Sequence, residues 1–552
     1  MEPPVSDQFN ASRDNSRYAM YAVLVFAYLK IALLVLDYNC VWTQPEEFNW
    51  REYILMDGPG LSQRDIIKGL NWKVFEYEPR CTRPLSSYFE ILDTKCCAWL
   101  WNFMVPHPSL SLTWLFLLIL SPWLFYKLLR NLGIPRYLAG MITALYLGNP
   151  GTLSLVAVNF RPSKPIANFA IIFCLYWAST LHEKGEGHAL PSGKQFIAFC
   201  GLCAFMLVSF FFDETALLSF PAIILFFPEV VLRDIKRAVC FFSLPVITYA
   251  AYFRLFPAIT VLSGFELPSL QSYSPAAPFT GGALLEKIFN PDILRDLPVN
   301  LSIFLSDSFG LVNPALSGSL YYTALWVSIV LVIVFVIVKG AMTLYRTERR
   351  VVVEAFAFRA VFCGRVNLLR SVIVLSGVTF FANLTLHLVD NKIWGLYWLN
   401  TFWPIFFFLF LGMLLRSLNL NKLFVGAATC LIITASFYNF IYVNNAFKSF
   451  FYYRTVNFGD VITNKVNRFA LPLSHDEYLF EKTREIWKSH KDKTVITSIP
   501  TELYYLVHDL RLLKPGTTYS QRWSVFDGHV QEFSLVKERG KKDEYFWAVP
   551  SR

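Results

Sequence analysis

The segment WTQPEEFNWREY (42–53) sets two adjacent carboxylates, Glu46 and Glu47, just past an apolar run that Asp37 closes. Further along, FFFDETALLSFP (210–221) holds Asp213 and Glu214 in a short polar break between two apolar runs. HLVDNKIWGLYW (387–398) adds His387, Asp390 and Lys392. Basic groups recur in similar places: Arg83 in YEPRCTRPLSSYFE (77–90), and Arg161 and Lys164 in NFRPSKP (159–165). Ionisable groups at a membrane boundary cost free energy unless they are hydrated, paired or used. In any one loop, ordinary charge at a helix end explains them. Acids and bases at several boundaries on one side point to a shared polar cavity in which protons and anions are handled. The Asp213–Glu214 break is only a few residues long and follows three Phe residues, so this pair must sit near the interface with a partner.

The elements that must position these groups are membrane helices. The 552 residues are 55% hydrophobic and 17% aromatic, and only 16% are charged; a soluble domain carries about a quarter charged residues. Hydropathic runs predict about eleven spans, each long enough for a hydrocarbon core of about 30 Å: 18–37, 110–129, 137–157, 165–181, 194–212, 215–231, 238–256, 319–340, 371–389, 395–415 and 421–443. The run 18–36 reads as a first membrane helix rather than a signal sequence. The net charge of +10 reads as topology rather than nucleic-acid binding. With alternating spans, Arg13, Arg17, Lys127, Arg130, Arg136, Lys184, Lys194, Arg233, Lys236, Arg237, the cluster from Arg346 to Arg370, Arg416 and Lys422 all fall on one side. That side is inside by the positive-inside rule. The expected fold is mainly α: a polytopic module over 1–443, with its N-terminus inside and long outer loops at 38–109 and 257–318. A small outer α/β domain over 444–552 completes it, with strands at 493–500 and 544–550, a helix at 500–510 and a turn at 514–518.

The order of these features resembles the GT-C glycosyltransferases, closest to the branch with protein O-mannosyltransferases and their bacterial relatives. The resemblance rests on the acidic pair Glu46-Glu47 after the first helix, Arg83-Pro84-Leu85 later in the same loop, Glu214-Thr215 after the fifth helix, and a C-terminal outer domain. The chain departs from the pattern in having Glu-Glu where Asp is commoner, and in lacking the repeat domains some animal relatives append. The resemblance implies inverting transfer of a sugar from a polyprenyl-phosphate donor. Glu47 is then the first choice of general base and Glu46 the second, because partial burial raises a carboxyl pKa toward the working pH. Arg83, Arg161, Lys164 and Lys392 would meet the donor phosphate as it gains charge. Asp213, Glu214, Asp37, His387 and Asp390 would orient the acceptor or hold a basic group in place. The Phe- and Trp-rich helices would supply a groove for the lipid tail.

Plainer readings compete. Glu46 and Glu47 after Pro45 suit the start of an interfacial helix. Arg83 before Pro84 suits a structural turn, Arg161 and Lys164 suit interfacial anchors, and His387 suits a packing role as well as a proton relay with Asp390. Neither H-E-x-x-H nor a G-x-x-x-x-G-K-[ST] loop occurs in the sequence. No cofactor is expected beyond the donor substrate, and a divalent metal is left open. The rivals to an enzyme are a transporter or flippase of lipid-linked sugars, expected to carry polar groups deep in its spans and broken helices, and a membrane scaffold. Cys40, Cys81, Cys96 and Cys97 share one loop, where a disulfide could form; sequons stand at Asn300 and Asn383. The expected partners are the bilayer, a lipid-linked donor and a glycan, lipid or protein acceptor, with no nucleic acid. The expected location is a bacterial inner membrane with the active side periplasmic, the alternative being the endoplasmic reticulum.

Overall fold

The computed structural model describes residues 112–149, 163–187, 192–251, 289–309, 367–388, 399–418 and 424–434, two short strands near the C-terminus, and single helical positions within 21–29, 85–96, 152–155, 255 and 324–342. The described chain is mainly helical. Its helices are α1 (Ser121–Asn131), α2 (Arg136–Gly148), α3 (Ser163–Gly187), α4 (Ser192–Phe212), α5 (Ser219–Phe226), α6 (Pro228–Val231), α7 (Ile235–Ala250), α8 (Pro291–Phe309), α9 (Asn367–Leu388) and α10 (Trp403–Leu418). A π-helical turn, Leu115–Leu120, leads into α1, and a 3-10 turn, Glu214–Leu218, leads into α5.

Two stretches, Ser163–His182 and Gly193–Phe212, are apolar helix of 20 residues each. At about 1.5 Å per residue each is about 30 Å long, enough to cross a bilayer core. The first is 67% buried and the second 39%, so α3 is central and α4 peripheral. Around α3 pack α1, α4, α5 and the two irregular turns, while α10 joins α2 to α9. The interior is filled by Phe, Leu and Ile side chains, with Phe125, Tyr146, Phe199, Phe210, Phe241, Phe402 and Phe406 fully buried.

Local sequence explains where these helices stop. Asn149 precedes Pro150, whose ring disfavours helical backbone before it, and Asn149 is extended at ψ 149, so α2 ends at Gly148 rather than continuing to 157. Gly133 takes φ 76 in the turn between α1 and α2, a conformation costly for any residue with a Cβ. A Cβ on it would also stand 2.8 Å from Nη1 of Arg416. The expected single span over 215–231 is instead three pieces. Asp213 caps the 3-10 turn, and Phe227, at φ −135 and ψ 52, breaks the helix ahead of Pro228. A second difference lies in the expected outer loop 257–318, which contains the 19-residue helix α8. α8 docks on α9 through Asn300 Nδ2 donating to Asn383 Oδ1 at 2.6 Å and Asn383 Nδ2 donating to the Ile293 carbonyl at 2.5 Å. Both sequon asparagines are thus buried in helix packing rather than open to modification.

Charge separates to the two ends of the bundle. At one end Arg416 Nη1 donates to the Leu132 carbonyl (2.6 Å), Arg370 Nη1 to the Phe226 carbonyl (3.3 Å) and Arg233 Nη1 to Gln195 Oε1 (2.5 Å). These basic groups come from α9, α10 and the corner after α6, all assigned to one side from the sequence. Ser534–Lys537 and Tyr545–Ala548 form an antiparallel pair of strands, Ser534 opposite Ala548. The second strand falls within the expected 544–550; the expected elements at 493–518 lie outside the described residues.

Candidate functional site

At the end opposite the arginines, two sequence-separated loops meet. The ammonium of Lys164, on the first turn of α3, is 2.9 Å from Asp213 Oδ1, and both side chains are 0% exposed. Asp213 is the N-cap of the 3-10 turn; the same Oδ1 accepts from the Thr215 amide at 2.9 Å and from Thr215 Oγ1 at 2.6 Å. Three donors on one oxygen fix the carboxylate, and the carboxylate fixes Lys164. Glu214, next in sequence, is half-buried and lies in the first turn of the 3-10 segment.

One turn along α3 lies a second polar layer. Tyr146 donates to Asn168 Oδ1 at 2.6 Å, and Asn168 Nδ2 donates to the Thr401 carbonyl at 2.8 Å, tying α2, α3 and the entry to α10 together. Asn149 Nδ2 donates to the Tyr146 carbonyl and, at 2.8 Å, to Thr152 Oγ1, while the Thr152 amide donates to Asn149 Oδ1 at 3.0 Å. Trp403 Nε1 donates to Ser308 Oγ at 3.0 Å, which brings α8 to the same layer. Sequence reasoning missed this layer. Its signals were Asn-Pro-Gly at 149–151 and a lone Asn inside an apolar helix.

The loop that carries the Arg83-Pro84-Leu85 element also reaches this end. Leu85, Ser86, Phe89, Leu92, Asp93 and Cys96 are in helical backbone. The ring of Phe89 meets Phe212 edge-on at 6.2 Å and Phe116 at 6.0 Å. Phe212 immediately precedes Asp213. Asp93 is fully buried, and its Oδ1 accepts from the Leu112 amide at 2.6 Å ahead of the π-helical turn. Cys96 is a free, exposed thiol; Cys40, Cys81 and Cys97 lie outside the described residues.

His387, at the C-terminal end of α9, has Nε2 at 3.7 Å from Asp296 Oδ2 on α8. Among the described residues, its acidic neighbour is Asp296. Asp390, the expected relay partner, lies outside the described residues, as do Asp37, Glu46, Glu47, Arg83, Arg161 and Lys392. Of the candidate residues, the structure brings Lys164 and Asp213 together, with Glu214 adjacent, and holds His387 at the α8–α9 contact.

Beside the polar layer runs an apolar cavity of about 410 Å³, walled by α8, α9, α10 and the helical segment 424–434. Leu297, Leu301, Trp403, Phe407, Leu411 and Leu415 mark its length. From Trp403 to Leu415 the wall is about 18 Å of helix. Comparison with family models, with curated proteins and with solved structures gives no match.

Proposed function

We propose that this chain is an integral-membrane glycosyltransferase of the GT-C type, moving a sugar from a polyprenyl-phosphate donor to an acceptor on the membrane face opposite the arginine end. The observation that carries the reading is the Phe89–Phe212 contact. It sets Phe89, four residues after Leu85, against the residue that precedes Asp213; in sequence these neighbour Arg83-Pro84-Leu85 and Glu214-Thr215, two of the elements on which the resemblance rests. The polar layer and the long apolar cavity meet at Trp403, as a donor with a charged head and a greasy tail requires.

In this reading the eleven spans alternate, the arginine end is cytoplasmic, and 444–552 is a soluble domain on the active side. The acceptor oxygen or nitrogen attacks the anomeric carbon while the bond from that carbon to the phosphate oxygen breaks. The acceptor proton passes to Glu47, or to Glu46, and polyprenyl phosphate leaves with the bonding electrons. Arg83, Arg161 and Lys392 are the cations that would meet that charge. Lys164 is committed to Asp213, so its role is to hold the acidic turn in place, with Glu214 oriented by it. Photocrosslinking with a polyprenyl phosphate that carries a photoreactive tail tests the tail site. Labelled peptides from α8 and α10, protected by unlabelled polyprenyl phosphate, are expected; labelling confined to other helices would overturn the assignment.

A second reading, a transporter or flippase of lipid-linked sugars, is favoured by one observation. The helix broken at Asp213 and again at Phe227, next to a fully buried ion pair, is the kind of discontinuity transporters place at binding sites. Vesicles containing the protein separate the two: release of polyprenyl phosphate supports transfer, and movement of intact donor between leaflets supports translocation.

A further inference from the structure

A small polar cavity of about 200 Å³ opens at the arginine end, far from the candidate active site. Its walls are Asn131, Leu132 and Gly133 from the α1–α2 corner, Ser179 and His182 from α3, Phe226 and Phe227 from the break after α5, and Arg416 from α10. We infer that this cavity binds the phosphate of an anionic headgroup, a phosphomonoester or phosphodiester, in the leaflet at the arginine end.

Arg416 is held in a way that suits a phosphate. Its guanidinium donates one bond, from Nη1 to the Leu132 carbonyl at 2.6 Å. The remaining N–H groups have no protein acceptor among the described residues, and they border the cavity. A planar fork held at one corner is arranged for bidentate contact with phosphate oxygens. The backbone permits this because Gly133, at φ 76, has no side chain; a Cβ there would strike the guanidinium.

The charge around the cavity also suits an anion. Arg416 and His182 face it directly, Arg130 turns its Nη1 to the Ile134 carbonyl beside it, and Arg370 lies behind Phe226. Among the described residues, Glu229 is the acid in contact with this group, 3.5 Å from Arg370 Nη2 and 3.8 Å from His182 Nδ1. The described side chains here are thus three guanidinium groups and this carboxylate, a balance that favours an anion. The shape fits as well. A volume of about 200 Å³ is about six or seven times a water's share of about 30 Å³, room for a phosphate and part of a glycerol. Phe226 and Phe227 supply an apolar flank beside the polar groups, as a lipid headgroup region requires. Basic pockets between helices at a membrane face are the sites where anionic lipid heads bind.

The test uses the full chain purified in a neutral detergent and native mass spectrometry. The added probes are phosphatidylglycerol, phosphatidylcholine and inorganic phosphate in separate arms. The expected result is a retained phosphatidylglycerol adduct that phosphatidylcholine does not match. Its apparent affinity should fall about ten- to hundredfold in Arg416→Gln, the loss of a charge-assisted contact. Because Arg416 also holds the α1–α2 corner, a second variant is needed. Asn131→Asp keeps the volume and sets a negative charge beside the bound phosphate, so it too should weaken the adduct. It also loses the Asn131 Nδ2 bonds to Ser179 Oγ at 2.9 Å and Thr180 Oγ1 at 3.3 Å, so Asn131→Leu, which loses those bonds without adding charge, is the stability control and should weaken the adduct less. If inorganic phosphate binds instead, with the same dependence on Arg416 and Asn131, the site stands and its source is soluble phosphate. Binding of every probe that is indifferent to both substitutions overturns the assignment.

Discussion

Replacing Lys164 by Met removes one member of an ion pair that has no access to water. At 2.9 Å the gross attraction is about 6 kcal/mol with an effective dielectric of about 20. Desolvation of both groups offsets part of that. Removing one partner alone nonetheless leaves a buried charge uncompensated, which destabilises by about 3–5 kcal/mol. In Lys164→Met the Asp213 carboxylate keeps the two Thr215 donors but loses the ammonium. In Asp213→Asn the cap on the Thr215 amide survives, since Asn also caps helices, but the ammonium faces a neutral amide. Each single variant should lower the folded-to-unfolded ratio about a hundred- to several-thousandfold. The double variant Lys164→Met/Asp213→Asn has no buried charge at this point and keeps the cap. It should be more stable than either single, with a coupling of about 2 kcal/mol or more. The assay is reversible unfolding in mixed micelles of rising dodecyl sulfate fraction, followed by tryptophan fluorescence. Losses in the double variant that equal the sum of the singles would refute the pairing.

The remaining predictions concern the layers around that pair. Tyr146→Phe removes the donor to Asn168 Oδ1 inside the bundle, and should cost about 1–3 kcal/mol in the same unfolding assay. Asn383→Ala should destabilise more than Asn300→Ala, because Asn383 bonds both Asn300 and the Ile293 carbonyl; mass spectrometry of protein from a glycosylating host should find neither sequon modified. Gly133→Ala forces a Cβ into left-handed backbone and against Arg416, and should cost about 1–2 kcal/mol from the backbone alone.

The mainly helical character was legible because long apolar runs obey a strong rule. The assignment of Arg130, Arg370 and Arg416 to one side came from alternation alone, and in the fold these residues gather at one end of the bundle. Asp213 was singled out because a two-acid break between Phe-rich runs demands a partner, and the fold supplies Lys164. That pairing was hidden, since 49 residues separate the two and no local periodicity links them. Helix α8 was read as loop because Asp292, Arg295, Asp296 and Pro298 interrupt its apolar pattern; the three charged residues face one another, Arg295 lying 2.9 Å from Asp292 and 3.3 Å from Asp296, and the apolar remainder packs on α9 and α10. The roles of the asparagines at 149, 168 and 300 were hidden, because a buried amide is explained only by the carbonyl or hydroxyl it meets.

The most direct test of the central claim is release of polyprenyl phosphate. Purified protein in lipid would be given a panel of polyprenyl-phosphate sugars with cell-envelope extract as the acceptor source. Wild type would be compared with Glu46→Gln and Glu47→Gln. The account predicts turnover of at least one donor, lost in Glu47→Gln or Glu46→Gln while donor binding is retained. Failure to bind any donor of the panel, or turnover untouched by both substitutions, would contradict it.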